Sequence, residues 1–488
     1  MGYNCAQPTM NKAFTSGKVI MCATPRSKNY SDEYIGLEME VPLLQGGRSR
    51  YINFDNAAST PALKAVGQAV NDFLTYYSSV HRGTGFKSQL STEIYEQARR
   101  IVLDFVGAGR DEHVCIFGKN TTEAINKLAR RFPVTEKRNV ILTSGLEHHS
   151  NDLPWRATAK VVHIGLTADG RIDEEDFDEQ LSRYAERVAL VAISGASNVT
   201  GYLPPIHHLA EKAHQVGAQI AVDCAQLAPH RKIEMRSLAD PDHLDYVTIS
   251  AHKMYAPFGT GALIGRRDTF EQGDPDLVGG GTVNIVTLDD VTWAEPPERD
   301  EAGSPNVIGA VALAAAIRKL EEIGMDAVAR HEDALTCHTL GRLADLAEVN
   351  VYGDTDPARA SSRLGVIPLN VEGYPHALTA AILSHEFGIG VRNGCFCAHP
   401  YLLHLLAIPP EEADRVRADI LAGDRSNMPG LVRISFGLYN TLEEVDALVE
   451  ALAAISRGEY QGTYEQDSAS GAFHPRGWEP DFESYFIL

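Results

Sequence analysis

Four short apolar runs constrain this chain more than any other feature: 139–143 (NVILT), 187–194 (RVALVAIS), 219–223 (QIAVD) and 246–250 (YVTIS). They are rich in β-branched residues and show little of the polar alternation of a half-solvated strand, so they read as strands buried on both faces. Between two of them, 205–216 (PIHHLAEKAHQV) has helical spacing and closes on Gly217. Strands that alternate with helices pair in parallel, with helices covering both faces of the sheet. Such a sheet binds its ligands beyond the carboxyl ends of its strands. The expected fold class is therefore α/β, with a large, mostly parallel sheet.

Two further helices are expected over 92–106 (TEIYEQARRIVLDFV) and 121–132 (TTEAINKLARRF), the second just after the apolar run VCIF. After Asn306 the pattern changes. Helices are expected at 311–322 and 332–347, and strand-like runs at 350–352, 364–369 and 389–392. A last strand, 431–436, leads into a helix opened by Thr441 with Glu444, the capping-box spacing. This is the pattern of a smaller α+β domain. The expected organisation is an N-terminal extension over 1–50, a large domain over 70–305, a small domain built from 51–69 with 306–457, and a tail over 458–488.

Charge and composition narrow the function. Over 488 residues the formal net charge is −21, a field that repels nucleic acid. No apolar stretch is long enough to span a bilayer. A cytoplasmic protein is expected, with no nucleic-acid or membrane partner. The segment before Asp32 has no acidic residue and carries Lys12, Lys18, Arg26 and Lys28, a composition shared by transit peptides and by plain disordered tails. The seven cysteines are mostly scattered and do not form a disulfide framework, which points to a reducing compartment. Only Cys395 and Cys397 stand close together. With His399 they lack the second ligand pair of a structural zinc site, so no metal is expected.

The chemistry lies at the strand ends. Asp223 closes one strand and Lys253 follows the next. Taken singly, the first would cap a turn and the second would be a solvated loop lysine. Together they match the needs of pyridoxal phosphate: an amine to link the aldehyde, and a carboxylate to keep the pyridine nitrogen protonated. Thr121 and Thr122 open a helix, where hydroxyls and free N–H groups would hold a phosphate, and Ser250 and His252 would add donors.

Eleven segments in order then carry a family resemblance. They are FDNAAST at 54–60, VHRGTG at 80–85, TTEAIN at 121–126, LEHHSN at 146–151, SNVTG at 197–201, VDCAQ at 222–226, SAHKMYAP at 250–257, GGGT at 279–282, EAGSPN at 301–306, VRNGCFCAHP at 391–400 and RISFGLYNT at 433–441. The chain resembles the cysteine desulfurase and selenocysteine lyase family, in the class V aminotransferase (type I PLP enzyme) fold. The resemblance implies that Lys253 links the cofactor, His148 stacks on its ring, Asp223 pairs with the ring nitrogen and Gln226 reaches the ring hydroxyl. It gives Thr121, Thr122, Ser250 and His252 to the phosphate, and Asn198 and Arg433 to the substrate carboxylate. It also implies a homodimer, in which Ser304 reaches the neighbouring subunit's phosphate and Arg82 lies near the partner's site.

Cys397 matches the family's catalytic cysteine, a thiol that takes sulfur from L-cysteine as a persulfide, with Arg392 and Arg433 near to favour the thiolate. The implied reaction is L-cysteine to L-alanine, with sulfur passed on to an acceptor that a protein could provide. A β-eliminating C–S lyase, another class V activity on an amino acid, and a sulfur-carrier scaffold without turnover are the alternatives. The chain departs from the pattern in three places. Cys395 precedes the matched cysteine, in a GCFC segment that resembles molybdenum-cofactor sulfurases, and would resolve the persulfide, receive it or stand by. A stretch over 409–429 lengthens the path to Arg433 and is expected at the mouth of the site. Gly195 stands where relatives usually have histidine. The last two bear on the identity of the substrate.

Overall fold

The computed structural model describes residues 29–81 and 83–488. Its centre is a seven-stranded sheet of β1 (His113–Gly118), β2 (Val140–Ser144), β3 (Lys160–Ile164), β4 (Val188–Ser194), β5 (Gln219–Asp223), β6 (Tyr246–Ser250) and β7 (Gly261–Arg266). The spatial order is β1-β7-β6-β5-β4-β2-β3. The strands from β6 to β3 pair in parallel, while β7 runs antiparallel to both β6 and β1. All four runs anticipated from sequence are strands of this sheet, and the sheet is mixed at one side only.

β2, β4, β5 and β6 are buried along their whole length apart from Gln219, as their unbroken apolar character requires. On one face the helix α1 (Thr121–Arg131) sets Ala124, Ile125 and Leu128 against Trp155, Tyr246 and Phe270. On the other, α2 (Val307–Ile323) adds Ala310, Leu313, Ile317 and Leu320 to the main core. Each fully buried Leu, Ile or Val there contributes about 1.5–3 kcal/mol of transfer free energy.

A second sheet has the order β8-β9-β11-β10, all antiparallel, from β8 (Val349–Val351), β9 (Val366–Val371), β10 (Arg392–Gly394) and β11 (Leu431–Ser435). It has its own cluster, in which Leu335, Leu340, Ile367, Ile382, Ile434 and Leu448 are buried. The run expected as one strand at 389–392 is broken: Ile389–Gly390 pairs in parallel with Ile52–Asn53, and the chain then enters β10. Thr441 and Glu444 form the full capping box that their spacing anticipated.

Order begins before Tyr51. Tyr30 and Tyr34 are buried in the main core, and Glu40–Pro42 pairs with Arg48–Arg50. At the other end, Tyr464–Gln466 and Phe473–Pro475 form a hairpin. The residues of 409–429 include the helix Pro410–Leu421, which buries none of its residues. The end of this stretch holds the C-terminal segment: Arg425 N donates to the Ser468 carbonyl, and Gln466 Nε2 donates to that of Ser426. Cys115, Cys224, Cys395 and Cys397 are free thiols, whereas Cys337 is disulfide-bonded. The readings made for residues 1–28 and for Arg82 fall outside the described residues. Among the described residues, no helix is long and apolar enough to cross a membrane.

Candidate active site

One cleft opens at the carboxyl ends of the parallel strands, where the second sheet closes over them. Ser194, Asp223 and Ser250 are the last residues of β4, β5 and β6, and all three line it. The turn after β2 brings in His148, and the turn after β1 brings in Asn120, Thr121 and Thr122. From the other side come Arg392, Phe396, Cys397 and Arg433. Gln226, Asn198, His252 and Lys253 complete the anticipated set. Ser304 is exposed and is not among the residues that line this cleft. No residue of 409–429 lines it either.

Local sequence explains these positions. Gly261, at the start of β7, lies against the loop before α1: a Cβ there would sit 2.6 Å from Asn120 Cα and 2.7 Å from the Ile249 carbonyl oxygen. Only glycine allows the start of α1 to lie this close to the end of β6. Asn120 caps α1 by accepting from Glu123 N at 3.0 Å. Thr122 Oγ1 is 2.7 Å from Ser150 Oγ, and Thr121 Oγ1 is buried with no partner in the protein. A buried hydroxyl without a partner beside a helix N-terminus is a vacant donor for an anion.

Asp223 Oδ1 accepts from Ala225 N at 2.9 Å. Burial raises its pKa, while that N–H and Lys253 pull it back. Burial lowers the Lys253 pKa to about 8; Asp223 opposes the shift and Arg433 reinforces it. The residue is half-buried by surface area yet enclosed by protein, and that burial makes a neutral amine accessible near physiological pH. His148 Nδ1 accepts from Ser150 N at 3.1 Å, which places its proton on Nε2. Burial, then Lys253, lowers the His148 pKa to about 3, so this ring is neutral. His252 is held down to about 4 by burial and Lys253.

Arg433 is 3% exposed. Its Nη1 donates to the Asn198 carbonyl at 3.0 Å, its Nη2 to Asp55 Oδ1 at 3.0 Å, and its Nε has no partner in the protein. The guanidinium lies over the Phe396 ring, 4.8 Å from its centroid. Asn198 Nδ2 donates to the Phe396 carbonyl at 2.8 Å, so Asn198 and Arg433 together clamp the turn that carries Cys397. Phe396 and Cys397 both have left-handed backbones, with φ of 51° and 56°. Such strain in non-glycine residues is held by surrounding contacts and gathers at functional sites. Arg392 is mostly exposed and reaches Asp55 Oδ2 at 3.9 Å. Gln226 Nε2 is already donated to the Ala57 carbonyl at 2.7 Å.

Several groups at the site escaped sequence reasoning. Glu147, next to His148 in the chain, is buried, accepts from Ser194 Oγ at 2.6 Å and Asn151 Nδ2 at 2.7 Å, and has a pKa raised by burial to about 7. Its place beside the two histidines of LEHHSN was the available signal. Asp55, in FDNAAST, was another. Among the described residues, the cluster with metal-ligand spacing is His214, His243 and Asp245. It lies outside the cleft, and there Asp245 Oδ1 also takes Arg266 Nη1 at 3.1 Å.

Residues 52–448 match the family model described as Aminotransferase class-V. A probable cysteine desulfurase of Halalkalibacterium halodurans is 36% identical over 414 residues, spanning 83% of this chain and 93% of that protein. One from Halobacterium salinarum is 35% identical over 425 residues, with 85% and 93% covered. Among solved structures, the apo cysteine desulfurase from Thermococcus onnurineus NA1 superposes with a TM-score of 0.74 at 33% identity, covering 88% of this chain and 99% of that one. The chain belongs to the cysteine desulfurase family of the class-V aminotransferases.

Proposed function

We propose that the protein is a pyridoxal-phosphate-dependent cysteine desulfurase that converts L-cysteine to L-alanine and leaves the sulfur as a persulfide on Cys397. The observation that carries this reading is that Cys397, Lys253, Asp223 and Arg433 share one cleft, close enough that Asp223, Arg433 and Cys397 all act on the Lys253 amine.

The residues present fit the cofactor. The unpartnered Thr121 hydroxyl, Thr122 and the N-terminus of α1 would hold its phosphate, with Ser250 and His252 opposite. Asp223, a carboxylate at a strand end, would meet the ring nitrogen, His148 would cover the ring face, and Gln226 would meet the ring hydroxyl. Lys253 would make the covalent link. When bound, pyridoxal phosphate supplies an electron sink for the amino acid joined to it.

The chain's own groups supply the rest. Arg433 binds the substrate carboxylate, with Asn198 and Arg392 beside it. Lys253, neutral above a pKa of about 8, takes and returns the substrate's α-proton. The Cys397 thiolate attacks the substrate sulfur. A carbon–sulfur bond breaks, a sulfur–sulfur bond forms, and L-cysteine with Cys397–SH becomes L-alanine with Cys397–S–SH. The carbon is reduced and the sulfur pair oxidised, so no outside oxidant enters.

The assembly is a homodimer in this reading. Leu277, Val278, Ile285, Val286 and Leu288 are all exposed on the segment that contains GGGT, and Ser304 is exposed nearby in sequence, which supports this reading. A cytoplasmic setting and a protein sulfur acceptor complete it.

Product analysis tests the reading. Wild-type holoenzyme with L-cysteine yields alanine, whereas Cys397→Ala binds the cofactor and forms almost none. Pyruvate from the wild type, with turnover largely kept in Cys397→Ala, would instead make the protein a β-eliminating C–S lyase.

A further inference from the structure

Behind the turn that carries Cys397 lies a second thiol with a base of its own. Cys395 Sγ is 2.9 Å from His399 Nε2, and His399 Nδ1 is 3.1 Å from His149 Nε2. The two imidazoles lie parallel, 2° apart, with centroids 5.0 Å apart. None of these three residues lines the cleft.

The backbone fixes where the protons sit. The amide N–H of His399 can only donate, and it points at His149 Nε2 at 3.3 Å. That nitrogen is therefore an acceptor, and the proton of His149 is on Nδ1. His399 Nδ1, facing the same acceptor, must donate to it. The remaining ring nitrogen, His399 Nε2, then offers its lone pair to Cys395, whose S–H donates. The arrangement is a thiol, a base and an orienting group, the pattern of an activated nucleophile. Burial lowers the pKa of both histidines and raises that of Cys395, so the resting pair is neutral and the thiol is held in reserve.

The cluster is tied to the catalytic turn. His149 N donates to the Cys397 carbonyl at 2.7 Å, and Ala398 N donates to that of Cys395 at 2.9 Å. With left-handed Phe396 between them, one thiol faces the cleft and the other faces the histidines. A charge on Cys397 is felt at Cys395.

We propose that Cys395 is a second sulfur carrier, which with His399 as its base takes the sulfane sulfur from Cys397 and presents it outside the cleft. This rests on Cys397 being the first acceptor. Cys395 gives its proton to His399 Nε2, and the thiolate attacks the outer sulfur of Cys397–S–SH. A sulfur–sulfur bond forms at Cys395 as the one at Cys397 breaks, and Cys397 leaves as a thiolate balanced by the proton on His399. One persulfide replaces another, without net oxidation or reduction.

The test follows the sulfur. Holoenzyme receives one equivalent of L-cysteine per subunit and is quenched by alkylation at set times. The tryptic peptide over 393–415 is fragmented between the two cysteines, and alanine is measured in the same samples. The added sulfur, counted per alanine, appears first on Cys397 and then on Cys395. In Cys395→Ser it stays on Cys397. In His399→Gln its passage slows by about tenfold or more, the loss expected of a general base. Sulfur that stays on wild-type Cys397 as long as in Cys395→Ser overturns the proposal. So does a Cys395–Cys397 disulfide with free sulfide. Both outcomes leave Cys397 as first acceptor. Alanine formed by Cys397→Ser would overturn that assignment, and the relay with it.

Discussion

Arg433 and Asp55 meet at 3.0 Å, Nη2 on Oδ1, and the arginine is almost wholly buried. Asp55 and the Asn198 carbonyl thus hold both Nη groups, and the buried Nε is left without a partner in the protein.

Arg433→Lys is expected to raise KM for L-cysteine by about tenfold or more, with a smaller change in kcat. A lysine cannot hold two acceptors in a plane and present a third donor. Losing one charge-assisted hydrogen bond of about 1.5–3 kcal/mol corresponds to that factor. Steady-state kinetics check it, and an unchanged KM would remove Arg433 from substrate binding.

The cofactor link is expected to form faster as pH rises. Its rate depends on the neutral amine, and burial places the Lys253 pKa at about 8. The rate of pyridoxal phosphate uptake by apoprotein, followed by visible absorbance, climbs through pH 8 and then levels. The same shift has a stability sign. Above about pH 8 the folded lysine has shed a proton that the unfolded chain keeps to about 10.4, so this group's share of stability rises with pH across that window. Lys253→Ala should show no absorbance that borohydride fixes to the chain.

Asp223→Asn should keep the cofactor attached and still lose turnover, by about a hundredfold or more, since an amide cannot hold a ring proton as a carboxylate does. Burial works against the Asp223 charge, and the Ala225 N–H and Lys253 favour it. Full activity in Asp223→Asn would sink the role assigned to it.

The parts of the fold that sequence made legible share one property: their neighbours are close in sequence or dictated by pattern. β4, β5 and β6 are apolar throughout, and Asp223 and Lys253 sit at strand ends where α/β sheets bind ligands. β3 was missed because, as an edge strand, it exposes Lys160 and His163 and lacks an unbroken apolar run. β7 was missed because GALIGR has glycine at two positions, one needed for contact with Asn120. The pairing of Cys395 with His399 lay within one short segment, but its link to His149 had no signal, since the two histidines are 250 residues apart and meet only through the fold.

The C-terminal segment gave the weakest signal, and one buried carboxylate anchors its start. Glu386 lies in α3 (His376–Phe387) and is 4% exposed. Its Oε2 accepts from Gln461 N at 2.8 Å, and its Oε1 from Gly462 N at 2.9 Å and Tyr464 Oη at 3.0 Å. Three donors on one carboxylate outweigh its desolvation, and without it the two backbone N–H groups lose their partners. Glu386→Ala should therefore release the strap beyond Arg457, which is exposed at the end of the preceding helix. Limited trypsin digestion should cut there about tenfold faster than in the wild type, because the local opening that exposes the bond becomes more populated. No residue beyond Arg433 lines the cleft, so alanine formation should persist in the cut-resistant fraction of the variant. Equal cleavage rates in the two proteins would mean that the hairpin of Tyr464–Gln466 and Phe473–Pro475 holds the segment without Glu386.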